Sequence, residues 1–420
     1  MALEDYRGDM ETCTRCSLCK FVPLERVRGA KYVNICPSVA RYNFHAYSAG
    51  GRLAAGTALL DKRIDYSEKF AEVIYNCQLC GGCDVSCKYA LDMEVLEPLY
   101  EMRASCVEAG PVPASVKKMI DQSRDDRQLS KRSGAEGGQW MDGLTIGDVN
   151  QTGIDLIYFP GCRIECDPHL WGIARATVSL LQKAGIRFGL ATELCCGGQA
   201  FRMGYRKDFQ KQAQQSIAML KHSTAHTLVT SCAECYQALK VLYPRCGLQL
   251  ELEVLHTTEY FDRLLQSGQL RPVNAINRRV TYHDPCHLGR LGEPYIPWKG
   301  TQRPGHMRLF DPPKEFRRGT YGVYQSPRNI LNRIPGLTLV EMDRTKEYAW
   351  CCGAGGGVKE TNPEFAQWTA LERLSEAEST GAEALVTACP GCERHFRDTL
   401  TGTGKSLQVF DVAELLDAAI

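Results

Sequence analysis

The 420-residue chain has no apolar run approaching the roughly 18 residues that a membrane-spanning helix requires, which excludes such a helix. It also lacks an excess of charge. With 50 Lys and Arg against 49 Asp and Glu, the formal net charge is +1. No global field therefore steers it toward nucleic acid or an anionic membrane, and a charge-guided partner must use a local patch. The N-terminal MALEDYRGDMETC lacks the basic and apolar regions of a signal peptide. The chain is accordingly expected in the reducing cytoplasm, with membrane association only through a partner. No Walker loop, flavin motif or nicotinamide motif is present. The glycines of CCGAGGG (351–357) have the wrong spacing for a dinucleotide fingerprint, and two cysteines stand where a phosphate-binding turn would begin.

Cysteine, by contrast, is abundant. A cytosolic chain cannot use 21 cysteines as a disulfide scaffold, so their spacing must point to metal or redox chemistry. They fall in three blocks: 13–87, 162–235 and 286–392. Between the first two, residues 121–143 are rich in charge, Gly and Ser without sustained apolar periodicity, which reads as a linker. The expected organisation is a first domain over 1–120, a linker over 121–152, and two further domains over 153–275 and 276–420. Val95, Leu99, Met102 and Cys106 share one helical face, and Gly110-Pro111 stops that helix at the end of the first domain.

In the first block, Cys13, Cys16 and Cys19 form a C-x-x-C-x-x-C run, and Cys77, Cys80, Cys83 and Cys87 form C-x-x-C-x-x-C-x-x-x-C, the bacterial spacing for four-iron clusters. In two-cluster ferredoxins the fourth thiolate of each run serves the other cluster. One cluster is thus assigned Cys13, Cys16, Cys19 and Cys87, and the other Cys77, Cys80, Cys83 and Cys36. Cys36-Pro37 supplies the expected C-P step, although its distance from Cys19 implies an inserted loop and Lys88 replaces the proline after Cys87. Paired zinc sites are the alternative, but zinc ribbons pair two C-x-x-C knuckles rather than close a triple run with a distant thiol.

Beyond the linker the chain repeats itself. IDLIYFPGC (154–162), ELCCGG (193–198) and HTLVTSCAEC (226–235) correspond to RVTYHDPC (279–286), AWCCGAGGG (349–357) and EALVTACPGC (383–392). Each half places thiols at the carboxyl ends of β-branched and aromatic runs, with helical stretches such as 170–185 between them. Strands alternating with helices predict two similar α/β units whose parallel sheets bind a ligand beyond the strand carboxyl ends. Five convergent thiols per half exceed what tetrahedral zinc or an ordinary four-cysteine cluster requires, so something larger or asymmetric is expected there.

This ten-cysteine pattern, Cys162, Cys195, Cys196, Cys232 and Cys235 followed by Cys286, Cys351, Cys352, Cys389 and Cys392, resembles the CCG-domain pair of the heterodisulfide reductase catalytic subunit. Its attachment behind a ferredoxin domain is similar to the fused, single-chain form of that family, and the resemblance covers nearly the whole chain. The expected fold is α/β: an N-terminal α-helical two-cluster ferredoxin domain followed by two pseudo-symmetric α/β CCG domains. The resemblance implies two cubane [4Fe-4S] clusters and two noncubane [4Fe-4S] clusters, the latter pair facing each other with a disulfide substrate cleaved between them. It implies a flavoprotein or other redox subunit as electron donor, a membrane cytochrome or downstream reductase as a further partner, and no nucleic acid. A relay subunit without a substrate of its own, within a flavoprotein, quinone-linked or CoA-ester reductase complex, stays open beside this reading. A zinc-stabilised scaffold would require every cysteine block to be misread.

Cys286 and Cys351 are about twice as far apart as Cys162 and Cys195, so an insertion is expected over 288–333. Its Pro, Gly, aromatic and Arg content suits either a cover over the pocket or a docking surface. His283 and His287 flank Cys286 and are candidate proton donors to a departing thiolate, with hydrogen bonding to a cluster sulfur the equal alternative. Cys106 is expected in the core. Cys166 lies four residues after Cys162, at the position that Arg290 occupies in the second half, and Arg394 and His395 follow Cys392.

Overall fold

The computed structural model of the chain describes residues 2–124, 139–142, 144, 147–149, 152–303 and 309–420. The expected linker lies largely outside them. Its described part is not all solvent-facing: Trp140 is 0% exposed, and Gly147–Asp148 joins a sheet.

The N-terminal region is helical. Ala49–Leu60 and Glu68–Tyr75 begin at Ser48 and Ser67, whose hydroxyls accept from the Gly51 and Phe70 amides at 3.0 and 3.2 Å. Leu96–Ala109 ends at Gly110, whose φ of +102° is a left-handed cap that glycine adopts without strain.

The two later units share one topology. In the first, β1 (Gly147–Asp148), β2 (Leu156–Phe159), β3 (Phe188–Leu190), β4 (Thr227–Thr230) and β5 (Glu253–His256) form a parallel sheet in the order β1-β3-β2-β4-β5. In the second, β6 (Arg278–Tyr282), β9 (Leu337–Val340), β10 (Ala384–Thr387) and β11 (Gln408–Asp411) form a parallel sheet in the order β11-β10-β6-β9. Pairing β2 with β6, β3 with β9, β4 with β10 and β5 with β11 superimposes one strand order on the other. β7 (Thr301–Arg303) and β8 (Leu309–Asp311) make an antiparallel hairpin within the insertion. Apolar β2 and β10 are buried along their whole length, as parallel strands covered on both faces must be. The helix expected over 170–185 runs Trp171–Lys183 and buries Ile173, Leu180 and Leu181.

The modules share one core. Edge-to-face contacts from Tyr100 through Phe201 and Phe209 to Tyr243 tie the helix Leu96–Ala109 to the first α/β unit. The insertion, proposed from sequence as a cover or docking surface, packs on the ferredoxin-like region. Lys314 pairs with Glu94 at 3.2 Å, Arg318 pairs with Asp92, and the Arg318 Nε donates to the Lys88 carbonyl at 3.2 Å.

Candidate metal centre

The two C-x-x-C-x-x-C runs fold alike. Arg15 and Leu79, at the third position of each run, have φ of +58° and +51°, while Ser17 and Gly81, at the fifth, have +72° and +74°. Arg, Leu and Ser seldom enter this region. The repeated left-handed turn curls each loop inward, as a concavity for an anionic group requires. Cys13, Cys16, Cys19 and Cys87 line one pocket with His45, Gly50 and Leu53. A Cβ added at Gly50 would lie 3.3 Å from the Cys13 Sγ, so the helix Ala49–Leu60 passes close against this thiol set.

The second run gathers around Cys36. An antiparallel bridge between Phe21 and Asn34 closes the inserted loop, and the Ile35 and Cys36 amides both donate to the Lys20 carbonyl, at 2.9 and 3.3 Å. Burial pushes the Cys36 thiol up to about 12, with further upward contributions from Cys77 and Cys80. Cys83 is raised by burial, by Cys36, Cys77 and Cys80, and by Cys19 of the other set, so the two sets are neighbours. Lys88, in place of the proline, is buried and pairs with Asp84 at 2.8 Å and Glu94 at 2.7 Å.

In both α/β units the five thiols lie beyond the strand carboxyl ends and meet in the same order. The Cys196 thiol is held well below its usual range by hydrogen bonds with Cys195 and Cys235. Cys352 is held down equivalently by Cys351 and Cys392, and further by His283. Cys195, Cys235, Cys351 and Cys392 are pushed well up, chiefly by hydrogen bonding to neighbouring thiols. In the second set Cys286 is also held well below its usual range, first by its hydrogen bond with Cys351 and further by His287. The thiols that are pushed up become thiolates only around positive charge, and soft sulfur at this density fits an iron-sulfur centre. Gly197 and Gly353, which follow the two Cys-Cys pairs, both turn left-handed, at φ +72° and +101°. The first set opens into a cavity of about 250 Å³ that Cys166, Arg163, Arg202 and Glu234 also line. The second is closed, every member being buried.

The sets form a series. Cys80 of the second ferredoxin-like run packs against Cys286 and Cys351 and is lowered to about 6, first by its hydrogen bond with Cys351. Cys232 contributes to raising Cys389, placing the C-x-x-C loops of the two halves near each other. Arg394 pairs with Asp167 across the same junction at 2.7 Å.

His283 and His287 occupy different positions. The Arg373 Nε donates to the His283 Nδ1 at 3.1 Å, and a His283 ring nitrogen lies within 4.8 Å of the Cys352 and Cys392 sulfurs. Its ring is held beside the thiol cage by that hydrogen bond and by an edge-to-face contact with Phe396. His287 Nδ1 is 3.6 Å from the Cys286 Sγ, and its buried Nε2 has no hydrogen-bond partner among the described residues. His395 is buried with its Nε2 3.1 Å from the Ala366 carbonyl oxygen.

Three buried arginines escaped the sequence reading. Arg52 donates to the Val73 and Asn76 carbonyls at 3.0 and 2.7 Å, and Arg103 donates to those of Cys77 and Gly356, both at 2.7 Å. Arg290 donates to those of Cys80, Glu347 and Ala349 at 2.6, 2.8 and 2.7 Å. Each holds main chain beside the Cys77–Cys83 loop, and each brings a permanent positive charge to a region of converging thiolates. Glu234, inside the first C-x-x-C, is held down to about 2 by Arg202 and Arg163.

Comparison with known proteins matches residues 9–91 to a 4Fe-4S dicluster domain and residues 156–240 and 312–397 to a cysteine-rich domain called CCG. The second CCG match begins within the insertion, after Cys286. A dihydromethanophenazine:CoB–CoM heterodisulfide reductase subunit of Methanosarcina acetivorans is 30% identical over 98% of this chain and 94% of that protein. A fumarate reductase (CoM/CoB) subunit of Methanothermobacter marburgensis is 30% identical over 83% of this chain and 62% of its own length. EtfAB:quinone oxidoreductase of Syntrophomonas wolfei is 27% identical over 85% of this chain and 48% of its own length.

Proposed function

The chain belongs to the heterodisulfide reductase family, to the branch that joins a 4Fe-4S dicluster domain to two CCG domains, and from that premise we propose that it carries electrons through four clusters to a site where a disulfide is reduced. It is an iron-sulfur subunit of oxidoreductase type. In this reading Cys13, Cys16, Cys19 and Cys87 hold one cubane [4Fe-4S] cluster, and Cys36, Cys77, Cys80 and Cys83 hold a second. Cys162, Cys195, Cys196, Cys232 and Cys235 hold one noncubane cluster, and Cys286, Cys351, Cys352, Cys389 and Cys392 the other. The clusters supply one-electron transfer, and the protein supplies their spacing and surroundings.

One observation carries this reading: the four thiol sets stand in line, joined by Cys19 beside Cys83, Cys80 against Cys351, and Cys389 near Cys232. Electrons enter at the ferredoxin-like end from a redox subunit and leave at the open cavity by Cys162. The side chains there suit such a task. Arg163 and Arg202 bring positive charge to the cavity wall; His287, buried beside Cys286 in the neighbouring set, offers a ring nitrogen unpartnered among the described residues for the protons that disulfide reduction consumes. The chain then works in the cytoplasm and reaches a membrane only through a partner. Among the described residues no helix is long and apolar enough to cross one.

The second reading, a relay with no substrate of its own, draws on the likeness to EtfAB:quinone oxidoreductase. EPR spectra of the anaerobically purified protein under mild oxidation, with candidate thiols added, separate the two. A thiol-dependent paramagnetic signal is expected if substrate sulfur reaches the clusters; spectra of fully loaded protein indifferent to every thiol support the relay.

A further inference from the structure

The charge that the chain lacks overall is concentrated at one place. Between Cys13 and Tyr47 there are six Lys and Arg (Arg15, Lys20, Arg26, Arg28, Lys31 and Arg41) against one acidic residue, Glu25. Among the described residues none of the six makes an ion pair, whereas cations elsewhere on the surface commonly do. Arg15, Arg26, Arg28, Lys31 and Arg41 are exposed. Arg15 and Lys20 both lie close enough to His45 to lower its affinity for a proton, after burial, and His45 itself lines the pocket of Cys13, Cys16, Cys19 and Cys87. Arg15 and Lys20 thus stand at the rim of that thiol set.

Apolar side chains are exposed in the same stretch of chain. Leu24 is 93% exposed, Phe44 64%, and Leu18 and Phe21 43% each. They belong to the cysteine loop, the hairpin that follows it, and the residue before His45. Cys16 is the single thiol of the eighteen assigned to the four sets whose residue is exposed. An apolar contact ringed by unpaired charge, centred on the outermost thiol of a line of redox sites, has the composition of a transient protein interface.

We propose that the surface around Cys16 is the docking face for the electron donor, a protein whose own redox centre is ringed by carboxylates. This rests on the reading of Cys13, Cys16, Cys19 and Cys87 as cluster ligands. The transfer forms and breaks no bond: the donor loses one electron and the cluster behind Cys16 gains it. A flavodoxin in its hydroquinone state has the required chemistry, being an acidic one-electron donor. An anionic membrane also attracts cations and apolar side chains, but lipid on this face would cover the one exposed thiol of the series and shut out every soluble protein donor. The protein partner is therefore favoured.

The test uses the iron-loaded full chain in anaerobic stopped flow, with flavodoxin hydroquinone as donor over a range of salt and reduced methyl viologen as a small donor that needs no docking face. The variants are Arg15→Glu/Lys20→Glu and, farther from the cysteine loop, Arg28→Glu/Lys31→Glu, each checked for iron content and EPR spectrum. The second-order rate with flavodoxin is expected to fall steeply with salt and about tenfold or more in each loaded variant. Rates with methyl viologen should not slow. Flavodoxin rates independent of salt and of both substitutions would overturn the proposal, as would reduction of the wild type by methyl viologen but never by flavodoxin. Loss of binding to phosphatidylserine vesicles in the variants, with flavodoxin rates unchanged, would overturn it in favour of a membrane. Wild-type protein that holds no iron would instead sink the functional reading beneath it, an outcome read before any rate is measured.

Discussion

Replacing Arg290 by Met is the sharpest test of how the centres are held together. The substitution keeps an unbranched apolar stem and removes the guanidinium, whose Nε and Nη1 donate to the carbonyls of Cys80, Glu347 and Ala349 at 2.6 to 2.8 Å. Arg290 is buried. The two buried acceptors, the carbonyls of Cys80 and Ala349, left unpaired at about 1 kcal/mol or more each give a loss of about 2 kcal/mol. That corresponds to a roughly thirtyfold fall in local protection. The loss should fall on the contact between the Cys77–Cys83 loop and the segment preceding Cys351, because those are the chains the guanidinium joins. Native-state hydrogen exchange on anaerobic protein reads it as faster exchange of amides around Cys80 and Ala349, with amides of β4 and β5 unchanged. The charge has a separate consequence. Arg290 favours the ionised Cys80, so its removal makes an anionic centre there harder to reduce, and an EPR-monitored titration should find a more negative midpoint. Protection changed by less than about threefold, together with an unchanged midpoint, would refute the reasoning.

Gly356→Ala should separate the same two modules. At φ +63° an added Cβ would collide with the Cys77 carbonyl and lie 2.7 Å from the Gln78 carbonyl carbon; the left-handed backbone alone costs an alanine about 1–3 kcal/mol, visible as exchange spreading through residues 77–83. Glu376→Gln should destabilise by about 3 kcal/mol in urea unfolding, because the fully buried carboxylate accepts from Arg344 at 2.9 Å and Arg373 at 2.8 Å; Arg373 would lose its counter-charge and Arg344 would keep only Glu372, at 3.3 Å. His256 is lowered to about 3 by burial. Between roughly pH 6.5 and 3 the unfolded chain binds a proton that the folded chain refuses, so this group's stabilisation is complete above about 6.5 and is lost as pH falls, at up to about 1.4 kcal/mol per unit. His256→Gln should flatten the stability profile in that window, and identical slopes for the two proteins would count against it.

The centres were legible because their chemistry fixes spacing. Four-iron loops repeat a short interval, and a parallel sheet delivers its thiols at strand ends, so Cys162, Cys232, Cys286 and Cys389 announced both the repeat and its sheet. Other features have no such signature. An arginine reads from sequence as a surface residue, and nothing local distinguishes Arg103 or Arg290, buried on carbonyls far along the chain, from the solvated Arg187. Gly355 and Gly356 of the run CCGAGGG let backbone approach the Cys77–Gln78 main chain, a tertiary contact that sequence cannot show. The insertion revealed itself by length, yet its seat on the ferredoxin-like region rests on single pairs such as Lys314 with Glu94.

The central claim is that eighteen cysteines hold four separate four-iron centres. Iron and zinc should be measured on anaerobically purified wild type and on four variants, each with all the cysteines of one set replaced by serine. The account predicts about sixteen irons per chain, almost no zinc, and a loss of about four irons in each variant. Zinc in place of iron, or about eight irons lost only with the two N-terminal sets, would contradict it.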